Sequence, residues 1–456
     1  MKLTGGYKFK RFEGAAKAVL KEVSVPETTL IQLQIAGLSF EPMLAVGDPV
    51  RAGMAVASTG GENPIKLYAP VNGTVNAIST ESIIFTGDGT TQFEQLKDHT
   101  RSPWQLEKDE LFKQLCSSAS ILLINPALNS MARCDSVTKV IVNAVHNTPL
   151  NQSWTHEIVG DPHFLANGVK ILKALFVNAE ITIAANKRNL QEIKSAEIMD
   201  IASIVTVSDK YPQEDPELLT RNIAQTRLVS PEGEINDSII VIDADNCTHL
   251  AEIMTTGRPL IDKTIMIAGP GVSQPAWYRV RIGTSINLIK QETIKSDEFG
   301  PWRVILGNVM TGHSIGDDTT VQPLDTAISV IREQEFRELF RFMLPGFAWD
   351  SYPKTTVAEY LPIMPKRLDT SSHGGERPCV QCNYCDEVCP VGIYPFLIWK
   401  YVTIDKTDES FRLRPYDCIG CGLCDYVCPS KIHISGAVKQ ATDEYRKSRR
   451  SDEDTD

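Results

Sequence analysis

Eight of the eleven cysteines in this chain lie in two blocks near its end, and both blocks have the same spacing. Each reads Cys-x2-Cys-x2-Cys-x3-Cys-Pro, at residues 379–390 and 418–429. In proteins with two such motifs, three cysteines of one motif and the fourth cysteine of the other hold one [4Fe-4S] cluster. The spacing therefore predicts two clusters. The expected ligand sets are Cys379, Cys382, Cys385 and Cys428 for the first, and Cys418, Cys421, Cys424 and Cys389 for the second.

Zinc and disulfide bonds are the alternative uses of such cysteines. Structural zinc sites pair Cys-x2–4-Cys halves or combine cysteine with histidine, so the third cysteine and the Cys-Pro of each block would have no role. We expect no secretory signal at the Met1-Lys2-Leu3 end, and so no oxidising compartment that would favour disulfides. The remaining cysteines stand alone and are expected to be buried core thiols: Cys116, Cys134 and Cys247.

Length and charge narrow the function classes. With 456 residues and 42% apolar content, the chain is long enough for several domains. Its net charge of -11, with basic residues scattered among acids, argues against a nucleic-acid partner. The longest apolar runs, such as 121–124 and 239–242, fall far short of the roughly 20 residues that cross a bilayer. We therefore expect membrane contact only through partners.

Residues 1–104 carry glycines at tight turns between short strands, notably at 47–53 and 69–75. This pattern resembles the barrel-sandwich hybrid fold of biotinyl and lipoyl carrier domains. In those domains a lysine carries the cofactor within an Asp-Lys-Ala or Met-Lys-Met sequence. Lys66 lacks that setting, so the sandwich is expected to be structural.

Residues 105–254 alternate strands and helices, which predicts a layered α/β domain. Buried strands are expected at 140–145 and 181–184, with an amphipathic helix at 166–176 between them. The Gly-x-Gly-x-x-Gly of dinucleotide-binding folds does not follow the first strand, and Gly269-Pro270-Gly271 is interpreted as a turn. His146 and Asn147 could line a pocket after the first strand, but a loop histidine with its hydrogen bonds satisfied is the favoured interpretation.

The remainder divides into four segments. Residues 255–345 are predicted to form a mixed α+β module, with strands at 264–268, 278–282, 304–306 and 327–331 and a helix at about 335–343. Residues 346–375 are interpreted as a linker. The cysteine motifs fall in a 376–443 domain, and 444–456 is expected to be a disordered tail of mixed charge.

Several short motifs follow one another in a recognisable order: Gly47-Asp48-x-Val50-x-x-Gly53, Ala69-Pro70-x-x-Gly73-Thr74-Val75, and the segments 142–150, 268–272, 280–283, 338–340, 345–346 and 426–431. In this order they resemble the NqrA family of the sodium-translocating NADH:quinone reductases. The two complete cysteine motifs resemble instead the related C subunit of Rnf electron-transport complexes. The resemblance implies a multidomain α/β and α+β chain with a barrel-sandwich hybrid domain, a Rossmann-like domain, an SLBB-type β-grasp module and a C-terminal helical dicluster ferredoxin domain.

The resemblance also implies a role. The chain would be a peripheral electron-transfer subunit on the cytoplasmic face of the inner membrane, with membrane-integral and flavin subunits as partners. The complex would couple NADH or ferredoxin and quinone redox chemistry to sodium or proton translocation. Two alternatives stay open: a scaffold or quinone-binding subunit with structural clusters, and a soluble NADH dehydrogenase like the flavin subunit of respiratory complex I.

The expected cofactors on this chain are the two [4Fe-4S] clusters, and a quinone site stays open. The related flavin-binding subunits use a Gly-Arg-Gly-Gly-Ala-Gly-Phe-Pro type loop, whereas residues 117–126 here read Ser-Ser-Ala-Ser-Ile-Leu-Leu-Ile-Asn-Pro. A bulky apolar run keeps backbone amides away from a phosphate, which argues against FMN and NAD on this subunit. No catalytic residue is expected. The predicted apolar surroundings of the clusters are Val380, Ile393, Pro395, Ile419, Ile432 and Ile434.

Overall fold

The computed structural model describes residues 5–97, 99–128, 130–151, 163–296, 301–333, 350, 352, 364–370 and 376–453. Within these ranges the chain forms a mixed α/β structure with several separate sheets. The predicted helix at 335–343, the Pro345-Gly346 pair and most of the predicted linker lie outside the described residues. The first strand, β1 (Lys17–Glu22), joins a sheet built mainly from residues 262–332.

Short strands fill residues 28–87 and form a four-stranded sheet, a three-stranded sheet and a two-stranded ribbon. The orders are β2-β10-β9-β6, β5-β7-β8 and β3-β4. Alternate side chains point between the sheets, where Val56, Ile83 and Phe85 are fully buried. The bounds are β2 (Thr28–Gln32), β3 (Gln34–Ile35), β4 (Leu38–Ser39), β5 (Glu41–Pro42), β6 (Pro49–Val50), β7 (Ala55–Ser58), β8 (Lys66–Tyr68), β9 (Gly73–Ile78) and β10 (Ser82–Gly87).

A parallel four-stranded sheet follows, in the order β13-β12-β11-β14. Its central strands are almost continuous apolar runs because helices cover the sheet. The strands are β11 (Lys139–Ala144), β12 (Glu180–Ala185), β13 (Ser203–Thr206) and β14 (Ile239–Asp243). The helices are α1 (Lys108–Ser117), α2 (Ile121–Ile124), α3 (Met131–Ser136), α4 (Phe164–Leu175), α5 (Leu190–Ile193), α6 (Ala196–Met199), α7 (Pro216–Ile223) and α8 (Ala244–Thr256).

The central sheet has six strands in the order β1-β16-β15-β19-β17-β18. β1 pairs in parallel with β16, so the first strand of the segment expected to form a 1–104 domain belongs to the central sheet. Such a pairing between distant segments leaves no local trace in the sequence. The four strands predicted in this region are present. The bounds are β15 (Asp262–Ala268), β16 (Ala276–Arg281), α9 (Ile286–Thr293), β17 (Trp302–Leu306), β18 (His313–Ser314) and β19 (Ala327–Arg332).

Two short helices each contain the third cysteine of a block, the other cysteines lie in the adjoining loops, and the last helix of the chain corrects an expectation. The bounds are α10 (Tyr384–Val388), α11 (Pro395–Thr403), α12 (Thr407–Ser410), α13 (Leu423–Val427) and α14 (Ile434–Glu453). Residues 444–453, predicted to be disordered, continue α14. The helix persists because Val438, Ala441 and Tyr445 form a buried apolar face along it.

Two packed interfaces place this helical module against the rest of the chain. Leu218 of α7 lies in the same buried cluster as Ile393 and Ile398. The second interface includes Tyr211, whose hydroxyl donates a hydrogen bond to the Cys421 carbonyl at 2.8 Å. Part of the predicted linker is also paired, since the Lys366 amide donates to the carbonyl of residue 11 at 2.8 Å. In the described ranges, no helix combines the length and apolar character needed to span a bilayer.

Candidate iron-sulfur centre

The two cysteine loops share one unusual backbone shape. In the first, Gln381 and Asn383 have φ of 54° and 60°, and in the second, Gly420 and Gly422 have φ of 67° and 75°. In each motif these two residues lie directly before and directly after the second of the four cysteines. Only glycine adopts this left-handed conformation without cost, so the first loop holds it at some energetic expense. The repeated shape indicates a shared structural requirement.

That shape directs backbone amides at sulfur. The Gln381 amide lies 3.4 Å from the Cys379 sulfur, and the Gly420 amide lies 3.4 Å from the Cys418 sulfur. Amides at Val391, Gly392 and Ile393 similarly lower the pKa of Cys389, although burial raises that pKa overall. Donors aimed at sulfur favour the thiolate form, which is the form that binds metal.

The fourth cysteine of each motif lies with the other motif. Burial raises the pKa of Cys421 to about 12, and Cys418 and Cys389 are close enough for their charge, when ionised, to raise it further. Burial also raises the pKa of Cys385 to about 12, and there the cysteine neighbours are Cys382 and Cys428. This is the grouping that cross-ligation of two clusters requires.

The donor chemistry and the lining both fit a cluster. An apolar cavity is enclosed by thiols and by aliphatic side chains, namely Cys389, Cys418, Cys421, Cys424, Val391, Ile393, Leu423 and Val438. Within the described ranges, no three His, Cys, Asp or Glu side chains converge tightly enough for a single metal ion. The arrangement therefore gives no support to a mononuclear zinc site, which needs its ligands about 2.0–2.3 Å from one ion.

One predicted neighbour of the clusters is misplaced. Val380 is 66% exposed, because it lies on the outer side of the loop between the first two cysteines. The other predicted apolar neighbours are buried or partly buried: Ile393, Pro395, Ile419, Ile432 and Ile434. The lone cysteines behave as expected, since Cys116, Cys134 and Cys247 are buried in the apolar core.

Three residues line a cleft near Cys421, and of these the sequence indicated only His146, as a possible pocket residue. His146 was expected to be a satisfied loop histidine, but only its Nδ1 has a partner, the Asn151 amide at 3.1 Å, and its Nε2 has none in the described part of the chain. Glu214 and Trp277 line the same cleft as His146. No sequence signal could have found this grouping, because the three residues come from distant segments.

The segment that replaces the glycine-rich loop is packed inward. All four residues of α2, 121–124, are buried, and Ser118 and Ser120 are buried beside them. The Tyr68 hydroxyl donates a hydrogen bond to the Ser117 carbonyl, which connects this segment to β8.

Comparison with known proteins gives two matching families. The family described as "4Fe-4S dicluster domain" matches residues 378–432, and the one described as "NQRA C-terminal domain" matches residues 264–316. The helical module is therefore a 4Fe-4S dicluster domain, and an SLBB domain of the NQRA type lies in the central sheet region.

Curated relatives match most of the chain. The A subunit of the Na(+)-translocating NADH-quinone reductase from Cellvibrio japonicus is 23% identical over 400 residues, covering 85% of this chain and 86% of the relative. The A subunit of the same enzyme from Mannheimia succiniciproducens is 25% identical, covering 85% of each chain. The one from Serratia proteamaculans is 30% identical over 162 residues, covering 35% of each. The relatives are thus subunits of an oxidoreductase.

Similarity to solved structures is weaker. A chain of the NAD+-reducing [NiFe]-hydrogenase in the H2-reduced state is 11% identical with a TM-score of 0.41, covering 76% of this chain and 65% of that one. A likeness at this level supports no conclusion about fold or function.

Proposed function

We propose that this chain is an electron-transfer subunit that carries single electrons through two [4Fe-4S] clusters, in a membrane complex of the Nqr or Rnf type. The complex would couple NADH or ferredoxin oxidation and quinone reduction to sodium or proton translocation. The chain would lie at the cytoplasmic face of the membrane and contact it through membrane-integral and flavin subunits. Similarity to the A subunits along most of the sequence supports the assembly part of this proposal.

One observation carries the electron-transfer part. Cys389 lies among the thiols of the second motif, and Cys428 lies with those of the first. Cys379, Cys382, Cys385 and Cys428 would hold one cluster, and Cys418, Cys421, Cys424 and Cys389 the other. Bound clusters supply reversible one-electron chemistry.

The chain's own contribution is placement and tuning. Gln381 and Gly420 direct amides at cluster-binding sulfurs, and Ile393 and Leu423 keep water away from the cavity. Amide hydrogen bonds to sulfur, burial and nearby charge are the means by which a protein sets the reduction potential.

The test is metal analysis combined with paramagnetic resonance. Protein purified without oxygen should contain roughly eight iron and eight sulfide per chain and negligible zinc. Two reduced signals should appear and disappear reversibly on reduction and reoxidation. Stoichiometric zinc without sulfide would refute the proposal, and clusters that resist reversible reduction would favour a scaffold role.

A further inference from the structure

A cleft of about 450 Å³ opens where three parts of the chain meet beside Cys421. Asn143 and Asp243 line it from the carboxyl ends of β11 and β14. Met266 and Trp277 line it from the central sheet. Clefts at the carboxyl ends of parallel strands are common ligand sites, so the side chains that line this cleft indicate what it could bind.

Four residues of the cleft lining have side-chain atoms without a hydrogen-bond partner, as judged within the described residues. They are the Nε2 of His146, the Oδ1 of Asn151, the indole nitrogen of Trp277 and both carboxylate oxygens of Glu214. A buried polar atom left unpaired costs about 1–3 kcal/mol, so native proteins rarely tolerate several together.

The charge of the walls limits what the cleft could hold. Among the described residues, four acids line it, Glu214, Asp215, Asp243 and Asp245, and no lysine or arginine does. Burial lowers the pKa of Lys263 to about 8, and the nearby Asp245 and Asp243 oppose that shift. The lining therefore offers carboxyl groups that can bind a proton.

Hydrogen bonds connect the segment that contains Glu214 to the cysteine loop. Tyr211, three residues before it, donates its hydroxyl to the Cys421 carbonyl at 2.8 Å. The Asn143 side-chain amide donates to the Glu214 carbonyl at 3.1 Å. These bonds fix the backbone of this segment beside the cysteine loop, in the wall of the cleft that also includes Cys421, while the Glu214 carboxylate oxygens are buried.

Resting on the proposed function, we propose that Glu214 is a proton acceptor coupled to reduction of the cluster that Cys421 would hold. Above about pH 8, where Glu214 is ionised, it would take up one proton from solvent for each electron stored there. The electron comes from the reductant that feeds the cluster, and the proton binds a carboxylate oxygen. No other bond forms or breaks. The added negative charge of the electron disfavours the carboxylate anion by Coulomb repulsion, so the protonated, neutral carboxyl is favoured.

Glu214 and two titratable groups near it, Asp215 and His146, have different pKa values. Burial raises the pKa of Glu214 to about 8, and the charge of Asp215 adds to the rise while Asn147 opposes it. Burial raises the pKa of Asp215 only to about 6, because the Leu218 and Glu217 amides bind its carboxylate. Burial lowers the pKa of His146 to about 4, so this imidazole is neutral near pH 7.

Two further groups face the cleft. Burial, with Asp245 nearby, raises the pKa of Asp243, which accepts a hydrogen bond from Asn143 at 2.9 Å. His313 lies across the cleft on β18. The segment of Tyr211 and Glu214 makes the direct link to the cysteine loop. Asp243 and His313 lie outside that segment.

The experiment measures the cluster's reduction potential against pH in the full-length protein by paramagnetic resonance. Below about pH 8 Glu214 is already protonated, so the potential should be flat. Above it, the potential should fall by up to 59 mV per pH unit, the value for one proton per electron. The Glu214→Gln variant should show no such fall. An exposed control on the same helical module, Asp405→Asn, should behave like the wild type.

The outcomes separate this inference from the proposed function. If neither signal can be reduced in the wild type, the proposed function fails. If the wild-type signal is reducible but its potential is flat from pH 7 to 10, or falls equally in Glu214→Gln, the proton inference alone fails. If Glu214→Gln does not fold, infrared difference spectra of wild-type protein with ¹³C-labelled glutamate serve instead. A labelled carboxyl band should then appear on reduction above pH 8, and its absence would overturn the inference.

Discussion

Asp386 and Asp425 occupy equivalent places in the two halves of the dicluster domain. Each directly follows the third cysteine of its motif, and each binds the first turn of the helix after the next Cys-Pro. Asp386 Oδ1 accepts the Phe396 amide of α11 at 3.1 Å, and Asp425 Oδ1 accepts the Ser435 amide of α14 at 2.8 Å. Each aspartate therefore connects a cysteine loop to the start of a supporting helix.

Removing one of these caps should loosen the helix that it binds. In Asp425→Ala, α14 loses an acceptor for the Ser435 amide, which should cost about 1 kcal/mol, the usual value for a lost cap. Hydrogen exchange of the first turn of α14 should become faster. Asp425→Asn keeps an acceptor oxygen and should change less, and Asp443→Ala, on an exposed site of the same helix, is the control. Equal exchange in Asp425→Ala and the control would contradict this role.

Gly73 should be irreplaceable where β9 pairs with β10. A Cβ at this position would lie 1.8 Å from the Thr86 carbonyl oxygen. Gly73→Ala should therefore destabilise this sheet by about 1–3 kcal/mol through forced displacement of the backbone. The control is Gly60→Ala, since nothing lies within 4 Å of a Cβ there. Hydrogen exchange of β9 and β10 measures the difference, and equal protection in both variants would refute it.

Substitution of the fourth cysteine of each motif tests whether each cluster takes a ligand from both motifs. Cys389→Ser should weaken the paramagnetic signal of the cluster on Cys418, Cys421 and Cys424, while the other signal persists at first. The mirror change, Cys428→Ser, should affect the cluster on the first motif.

A triple substitution of Cys379, Cys382 and Cys385 assigns the two signals. Both single variants should also lower the stability of the whole 376–443 domain, because each motif contributes to both clusters. Loss of the first motif's signal in Cys389→Ser would show that each motif holds its own cluster.

The isolated subunit should neither retain flavin nor react with NADH. Residues 121–124 form a buried helix in place of the glycine-rich loop, so no exposed backbone amides are available there for a phosphate. Calorimetry with NADH should show no binding, and the absorbance of the clusters should not bleach when NADH alone is added. Binding with a micromolar dissociation constant would overturn this prediction.

Membrane association should depend on partners. Under the proposed function, other subunits of the complex attach the chain to the membrane. The chain should sediment with membranes of cells that contain the partner subunits and stay in the supernatant without them. Sedimentation with membranes in a strain lacking those partners would count against it.

Local sequence was enough for the cysteine chemistry and for many strands. The cluster motifs are readable because ligand spacing within one loop is a local property. Strands such as 264–268 and 278–282 are readable because β-branched and aromatic residues cluster there between loops rich in glycine and proline. The lone cysteines lie in mixed segments, and their burial was expected from the usual behaviour of an isolated cysteine.

Tertiary structure alone decided the contacts between distant segments. β1 pairs with a strand more than 250 residues away, and α14 persists beyond residue 444 because it packs against other helices. The cleft beside Cys421 brings His146, Glu214 and Trp277 together from three segments. Partners that are far apart in sequence meet only when the chain folds, and no local pattern records which of them will be left without a hydrogen bond.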